Sequence, residues 1–513
     1  MAKKHAGRDG EMSGSDPDRA IIDIGSNTVR LVVYGGARRA PIVLLNEKIA
    51  AQLGKQVSVD GSMSAEAMDI AYGALSRYAL LLNDLDVPRV DVVATAAVRE
   101  ASNGASFLSR IEDLGFAPRV LTGAEEAAMS AYGVLGAFPW ARGTVADLGG
   151  GSLELVRLDD GVPTRAETLP LGTLKLARLR EQDPDAWPKS IGKTLKGVAR
   201  PEPGQPLYLV GGTFRAMAVL AMEWTRSVLS DPHGLSTRPV DALPLVKRMA
   251  KTDPDALADH PRISSMRAAK LPDAAALLLA LLKSVDPSRI VFSSWGLREG
   301  LLYHDLPPAV RGQDPLLAGV AHFGTTRGAP PMLAARIAGW TVAAAPTNGD
   351  GSERLRLAAT TLALASMQIE PNLRLRVGTE WALHKRWLAI KPYERAMLAA
   401  TIAANGNNCD LDDTLRDLAS EAQLEEAICW GLGVRLCRRL GGSSRKSLQA
   451  SALRIENDVL VLRLEESRQV LFGAPSEKDL KLLGTRLGLD YDVSIVPDGA
   501  SLLTPQTEEL AAQ

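Results

Sequence analysis

Two glycine-containing segments of this 513-residue chain copy each other. RAIIDIGSNTVRLVVYG spans 19–35 and GTVADLGGGSLELVRL spans 143–158. Each reads as an apolar strand, Asp-x-Gly, small or hydroxyl residues, and a second apolar strand. The aspartates, Asp23 and Asp147, lie 124 positions apart. A hairpin repeated at that distance calls for two similar lobes with their tips turned toward one ligand.

The residue types at the tips suit a phosphate. Backbone N–H groups can hold a phosphate oxygen only where no side chain blocks its approach. Gly25, Gly149, Gly150 and Gly151 leave that space, and Ser26, Asn27, Thr28 and Ser152 add polar groups. Asp23 and Asp147 can hold Mg²⁺, directly or through its waters, because the ion takes oxygen ligands and keeps several waters. The plainer reading is a pair of hairpins with glycine turns. One such motif is weak evidence, and two with matched flanking strands favour the phosphate reading.

Length predicts several domains, because a single core stops growing well short of 513 residues. A net charge of −1 gives no global pull toward nucleic acid or membrane, so any polyanion site must come from local clustering of basic residues. Cys409, Cys429 and Cys437 show no zinc spacing and read as buried small hydrophobes in a reducing cytosol. The longest apolar run, at 274–282, is too short to span a bilayer. The expectation is a cytoplasmic protein with no nucleic-acid or membrane partner.

The pattern along the chain is α/β first and helical later. Residues 1–18 read as a disordered tail, 19–138 as a first lobe and 139–306 as a second. Strands are expected near 20–24, 29–34, 42–45, 90–95, 143–148, 153–158, 207–210 and 289–292, with helices at 64–83 and 124–136. A Pro-rich boundary at 305–315 precedes a helical domain, 312–440. GGSSRKS, 441–447, reads as a flexible linker. A small α+β unit follows at 447–503, with strands near 449–455, 458–464 and 491–496 and a helix near 476–487. TPQTEELAAQ reads as a loose end.

Further segments join the loops. ATAAVREASNG places Arg99 near a helix start, where an arginine suits multidentate phosphate recognition. VLTGAEEAAMSAYG puts Glu125 and Glu126 in a first helical turn, a place acids favour through the macrodipole alone. YLVGGTFRAM reads as strand, glycine turn and helix, so Gly211, Gly212 and Thr213 can meet an anion. Arg267, in ISSMRAAKLPDAAALLLALL, is a further candidate for substrate binding.

DIGSNTVRLVVY, TAAVREASN, TGAEEA, DLGGGSLELV, LVGGT and SSWGLREGLL occur in that order. In these segments the chain resembles the exopolyphosphatase and guanosine pentaphosphate phosphohydrolase (Ppx/GppA) family, of the actin-like ATPase superfamily. The resemblance covers about 20–304. It implies two actin-like, ribonuclease H-like lobes, followed by a helical domain of HD type and a small α+β domain. It implies that Ser26, Asn27 and Thr28 meet phosphate and that Arg99 grips the chain near the cleaved end. Asp147, Gly149 to Ser152 and Glu154 would form the second phosphate loop, with Asp147 and Glu154 as Mg²⁺ carboxylates. Glu126 would be the general base, with Glu125 its nearest competitor. Gly211, Gly212 and Thr213 would hold substrate further along. The implied function is Mg²⁺-dependent, processive release of terminal phosphate from inorganic polyphosphate, by a homodimer. Guanosine pentaphosphate hydrolysis, phosphotransfer to a nucleoside diphosphate and a non-catalytic polyphosphate or alarmone sensor are the alternatives.

The helical region departs from a metal-dependent HD site. After residue 310 it holds only His322 and His384, too few for a His/Asp ligand set. Arg374, Arg376, Lys385 and Arg386, and then Arg435, Arg438, Arg439, Arg445 and Lys446, form basic clusters that either guide a polyanion or are solvated faces.

Overall fold

The strand PDRAIIDI buries both of its faces. In the computed structural model, which describes residues 16–198, 202–257, 259–345 and 352–502, it forms β1 (Pro17–Ile24) at the centre of a sheet. Ala20, Ile22 and Ile24 enter one apolar core, while Ile21 faces another with Val32, Tyr34, Leu301 and Leu302. β2 (Val29–Gly35), β3 (Ile42–Ile49), β4 (Val90–Ala94) and β5 (Pro118–Val120) complete the sheet in the order β3-β2-β1-β4-β5. Two helices of this lobe matter below. α1 (Ala65–Asp84) buries Ala67, Ala71, Leu75, Tyr78 and Leu82, a stripe at helical spacing, and is capped by Ser64. α2 (Ala96–Glu100) follows β4 directly.

α3 (Gly123–Ala137) leads into the second sheet, β6 (Gly143–Leu148), β7 (Leu153–Asp159), β8 (Val162–Leu169), β9 (Leu207–Val210), β10 (Ser236–Thr237) and β11 (Ile290–Phe292). Its order is β10-β11-β9-β6-β7-β8. Reversed, β8-β7-β6-β9-β11 matches β3-β2-β1-β4-β5 strand for strand. In both sheets the first three strands are antiparallel and the next two pair in parallel with them. The copied hairpins are therefore the visible part of a copied sheet. α4 (Gly212–Trp224), α5 (Leu271–Val285) and α6 (Leu297–His304) follow β9, precede β11 and follow β11 respectively. α3 and α6 pack tightly because small residues face each other: a Cβ on Gly133 would strike the Gly296 carbonyl, and one on Gly300 that of Met129.

The chain divides into two units, Met1–Pro315 and Leu316–Gln513. The second holds α7 (Pro331–Thr341), α8 (Ser352–Ala365), α9 (Pro371–Leu383), α10 (Pro392–Asn405) and α11 (Glu421–Gly441), then β12 (Ser451–Glu456), β13 (Val459–Glu465), α12 (Ala474–Leu487) and β14 (Asp490–Val496). β12 pairs antiparallel with β13, and β14 pairs parallel with β13 after the α12 crossover. Arg435 of α11 donates to Asp479 of α12 at 2.9 Å, and Trp340 Nε1 donates to Ser451 Oγ at 3.0 Å, so helices and sheet share contacts.

Three expectations change. The first strand begins at Pro17, inside the predicted tail; the rest of that tail before residue 16, and TPQTEELAAQ, lie outside the described residues. β5, β8 and β10 had no prediction: β5 is three residues long and β10 two, and β8 (VPTRAETL) exposes much of its length and lacks an apolar run. GGSSRKS is not a free linker. Gly442 closes α11 with a left-handed φ of +59°, and Ser444 caps a short helix, Arg445–Gln449, by accepting from Ser447 N.

Candidate active site

The two hairpin tips close in the same way. Gly25 N–H donates to the Thr28 carbonyl at 3.0 Å, and Gly149 N–H to that of Ser152 at 3.0 Å. Neighbouring backbone then pins the tip carbonyls. Those of Ser26 and Asn27 accept from Gly54 N (2.8 Å) and Gln52 N (3.1 Å), and those of Gly149 and Gly150 from Thr173 N (3.0 Å) and Leu174 N (2.9 Å). In a planar trans peptide the following N–H points opposite to the carbonyl. The N–H groups of Asn27, Thr28, Gly150 and Gly151 therefore turn the other way, and all four residues line one cleft of about 230 Å³ between the lobes. The glycines let the loops meet: a Cβ on Gly150 would lie 2.8 Å from Asn27 Nδ2, and one on Gly151 3.0 Å from Ala96 Cβ.

Cross-strand register makes the copies unlike in charge. Asp23 pairs with Arg30 across β1 and β2, whereas Asp147 pairs with Glu154 across β6 and β7. Asp23 Oδ2 also accepts from Arg298 Nη1 at 2.8 Å, so it is neutralised. Among the described residues no cation is bonded to Asp147; its Oδ2 accepts from the hydroxyl of Ser130 on α3. The second tip is the acidic one.

Glu125 and Glu126 separate cleanly. Glu125 N–H donates to Thr122 Oγ1 at 3.2 Å while its carboxylate accepts from Thr122 N at 2.8 Å, a capping box at the start of α3. Glu126 lines the cleft. Its Oε2 accepts from Arg99 Nη1 at 3.0 Å, and the same nitrogen donates to the Leu121 carbonyl at 2.6 Å. Burial pushes the Glu126 carboxyl up to about 7, against the pull of Arg99 and with a further push from Asp147 and Asp23. Burial also raises Asp147, and raises Glu154 strongly with help from Glu126 and Asp147.

A cationic wall faces these acids. Arg30, Arg215, Arg267, Lys270 and Arg298 all line the cleft. Burial and the neighbouring guanidinium of Arg267 bring Lys270 down to about 8, and burial with Arg298 and Arg267 brings Arg215 down to about 9. Crowded, buried cations are what a multiply charged anion relieves. Gly212 sits against this wall: a Cβ there would lie 2.9 Å from Arg267 Nη2.

Of the residues singled out in the sequence, Ser26, Asn27, Thr28, Glu126, Asp147, Gly149, Gly150, Gly151, Ser152, Gly211, Gly212, Thr213 and Arg267 line this one cleft. Arg99 and Glu154 are not part of that lining: Arg99 is paired with Glu126, and Glu154 is buried beside Asp147, its cross-strand partner. Arg30, Arg215, Lys270 and Arg298 were missed. Each lies within a quoted segment, and for Arg30 and Arg298 the signal was charge in an apolar setting.

The carboxylates of the second tip have the chemistry to hold Mg²⁺. Glu154 Oε1 is buried without a hydrogen-bond partner among the described residues, and Asp147 presents a second carboxylate beside it. Among the described residues no three His, Cys, Asp or Glu side chains form a metal cage. One or two carboxylates completed by phosphate oxygens and water is the arrangement this ion prefers. In the second unit Arg435 and Arg439 are committed to Asp479, and Arg438 to Asn405 Oδ1 at 2.9 Å. No helix among the described residues is long and apolar enough to cross a membrane.

Two α/β lobes of like topology, with paired amide-lined loops, clustered acids and a cationic wall, define a phosphoryl-handling protein of the actin-like kind. The chain belongs to the Ppx/GppA phosphatase family, whose model matches residues 32–309. That match begins within β2, so the first loop is placed by geometry and by its symmetry with the second. Exopolyphosphatase 1 of Mycobacterium leprae is 28% identical over 316 residues, covering 57% of this chain and 90% of that one. Retrograde regulation protein 2 of Saccharomyces cerevisiae is 26% identical over 335 residues, 58% of this chain and 57% of the yeast protein. The crystal structure of an exopolyphosphatase from Cytophaga hutchinsonii superposes with a TM-score of 0.51 at 25% identity, over 58% of this chain and 98% of that one.

Proposed function

We propose that the chain is an exopolyphosphatase that hydrolyses the terminal phosphate of inorganic polyphosphate. The observation that carries this reading is a buried glutamate poised near neutrality beside amide-lined phosphate loops. A pure binder has no use for such a base, and catalytic carboxylates gain from titrating near the working pH. In the proposed reaction the N–H groups of Asn27, Thr28, Gly150 and Gly151 hold the terminal phosphate. Arg30, Arg215 and Arg298 offset charge on its oxygens. Glu126 takes a proton from a water in line with the bridging oxygen, the water oxygen bonds to phosphorus, and the shortened chain leaves. Arg99 orients Glu126 through its shared Nη1. Arg267 and Lys270 face the chain beyond. Mg²⁺, when bound at Asp147 and Glu154, would neutralise phosphate charge.

Phosphate release from long-chain polyphosphate and from guanosine pentaphosphate, with and without Mg²⁺, tests the reading. Release from polyphosphate that stops on chelation supports it. Release from guanosine pentaphosphate alone assigns the alternative hydrolase, formation of a nucleoside triphosphate assigns phosphotransfer, and binding without turnover assigns a sensor.

The acid cluster also predicts a metal effect on stability. Glu126, pushed up to about 7 beside Asp147 and Glu154, is more ionised at pH 8 than at pH 6, and its added negative charge favours a cation at those carboxylates. Mg²⁺ is expected to raise Tm more at pH 8 than at pH 6. An equal shift at both values in a thermal melt would contradict an ion at these carboxylates.

A further inference from the structure

α3 carries a second polar side chain that reaches the acid cluster. Ser130 lies four residues after Glu126, one turn on along the same helical face. It is 1% exposed. Several serines and threonines inside other helices of this chain turn the hydroxyl back on the helix: Ser76 donates to the Tyr72 carbonyl at 2.9 Å and Thr361 to that of Leu357 at 2.8 Å. Ser130 instead donates to Asp147 Oδ2, on a strand 17 positions away in sequence. A serine has one proton, so this carboxylate takes all of it.

The surroundings hold the pair in place. Gly296 lies across from both, since a Cβ there would come within 3.8 Å of Asp147 Oδ2 and 4.0 Å of Ser130 Oγ. Gly211, with φ +110°, brings the Asp147 side from the other direction, a Cβ there lying 3.2 Å from Oδ1. One Asp147 oxygen is thus tied to α3, and the other stands toward the glycine turn that lines the cleft.

We propose that Ser130 is a positioning residue for Asp147: its hydroxyl fixes the carboxylate so that the remaining oxygen is offered to a divalent cation on the substrate side. Glu126 and Ser130 then make α3 a single element that sets the base and the cation carboxylate from one helical register. The inference rests on the hydrolytic reading of this cleft but is tested apart from it. Supporting groups behind a metal carboxylate typically contribute 10- to 100-fold in metal affinity or activity.

The experiment compares Ser130→Ala, Ser130→Thr, Asp147→Asn, the double variant Ser130→Ala/Asp147→Asn and, as a control away from the site, Ser76→Ala. Mn²⁺ affinity is measured by electron paramagnetic resonance on the full chain, and kcat, KM and the Mg²⁺ concentration for half-maximal rate are measured on polyphosphate. Ser130→Ala is expected to weaken Mn²⁺ binding about 10-fold and to raise the Mg²⁺ requirement similarly, with KM at saturating Mg²⁺ within about 2-fold. Ser76→Ala should match wild type. The double variant should be no worse than Asp147→Asn, because a group that acts through another adds nothing once that other is gone. Unchanged Mn²⁺ affinity in Ser130→Ala, or losses that multiply in the double variant, would overturn the proposal. If Ser130→Ala does not fold, Ser130→Thr decides: retained hydroxyl with wild-type Mn²⁺ affinity supports it, and folded protein with weakened affinity overturns it. Wild-type enzyme that binds Mn²⁺ but releases no phosphate would sink the hydrolase reading while leaving the Ser130 comparison readable.

Discussion

Glu126→Gln is expected to lower kcat on polyphosphate about 10³-fold, within the range a general base supplies, and at the same time to stabilise the protein. Glutamine keeps the volume and an acceptor oxygen for Arg99 Nη1, now 3.0 Å from Glu126 Oε2, but cannot take a proton from water. The stability sign follows from the raised carboxyl. In the folded chain it titrates near 7, and in the unfolded chain near 4.5. Below about pH 4.5 both states are protonated and folding feels no penalty. Between those values the folded state holds the extra proton, so stability falls as pH rises. Above 7 the full penalty stands, and removing it returns about 1–3 kcal/mol. Tm of Glu126→Gln should therefore exceed wild type at pH 8 and match it at pH 4.5. In rate, kcat/KM of the wild type should fall about tenfold per pH unit below 7, and the variant should lose that limb. Persistence of the limb in the variant would place the base elsewhere. Glu125→Ala supplies the contrast: it breaks only a capping box, about 1 kcal/mol, and leaves kcat within about 2-fold.

The contrast between these neighbours shows what a sequence can and cannot carry. Both glutamates sit in a first helical turn, and the helix dipole favours acids there irrespective of use. Which one caps and which one enters the cleft depends on side-chain direction set by the Thr122 hydroxyl, a matter of tertiary placement. The copied hairpins were legible because a glycine turn between apolar strands is a local pattern. Their opposite charge character was legible only through register, which pairs Asp23 with Arg30 and Asp147 with Glu154. β8 escaped notice because an exposed edge strand has no apolar run to betray it, although its pairing with β7 completes the symmetry of the sheets. Arg99 was expected to face substrate. The structure pairs it with Glu126, and one nitrogen serves both the glutamate and the Leu121 carbonyl. Cationic residues such as Arg215 and Lys270 converge from segments more than fifty positions apart, so no local window could have grouped them.

Arg298→Ala is expected to be the most damaging single change for folding, at about 3–5 kcal/mol, the cost of stranding a buried partner charge. Arg298 is 16% exposed in its side chain and Asp23 18%, with Nη1 2.8 Å from Oδ2. The next residue, Glu299, is buried as well: burial pushes its carboxyl up, and Arg298, the Gly296 N–H and the Tyr34 hydroxyl hold it below the ordinary range. Alanine at 298 would leave the half-buried Asp23 and the buried Glu299 with one cation fewer between them. It would also loosen α6 against the first sheet, where this ion pair, the Tyr34–Glu299 bond at 2.8 Å and the Arg19–Asp305 pair at 2.7 Å add polar contacts to the small core of Ile21, Val32, Leu301 and Leu302. Lysine at 298 keeps the charge but not the planar fork, and should recover part of the loss. The discriminating variant is Asp23→Asn/Arg298→Ala. With the stranded charge removed, Tm should return most of the way toward wild type. Turnover should not return, because the cleft still lacks the cation that faces the first phosphate loop. Recovery of both would reduce Arg298 to a structural tie, and recovery of neither would mean that α6 docks through the ion pair itself rather than through its apolar face.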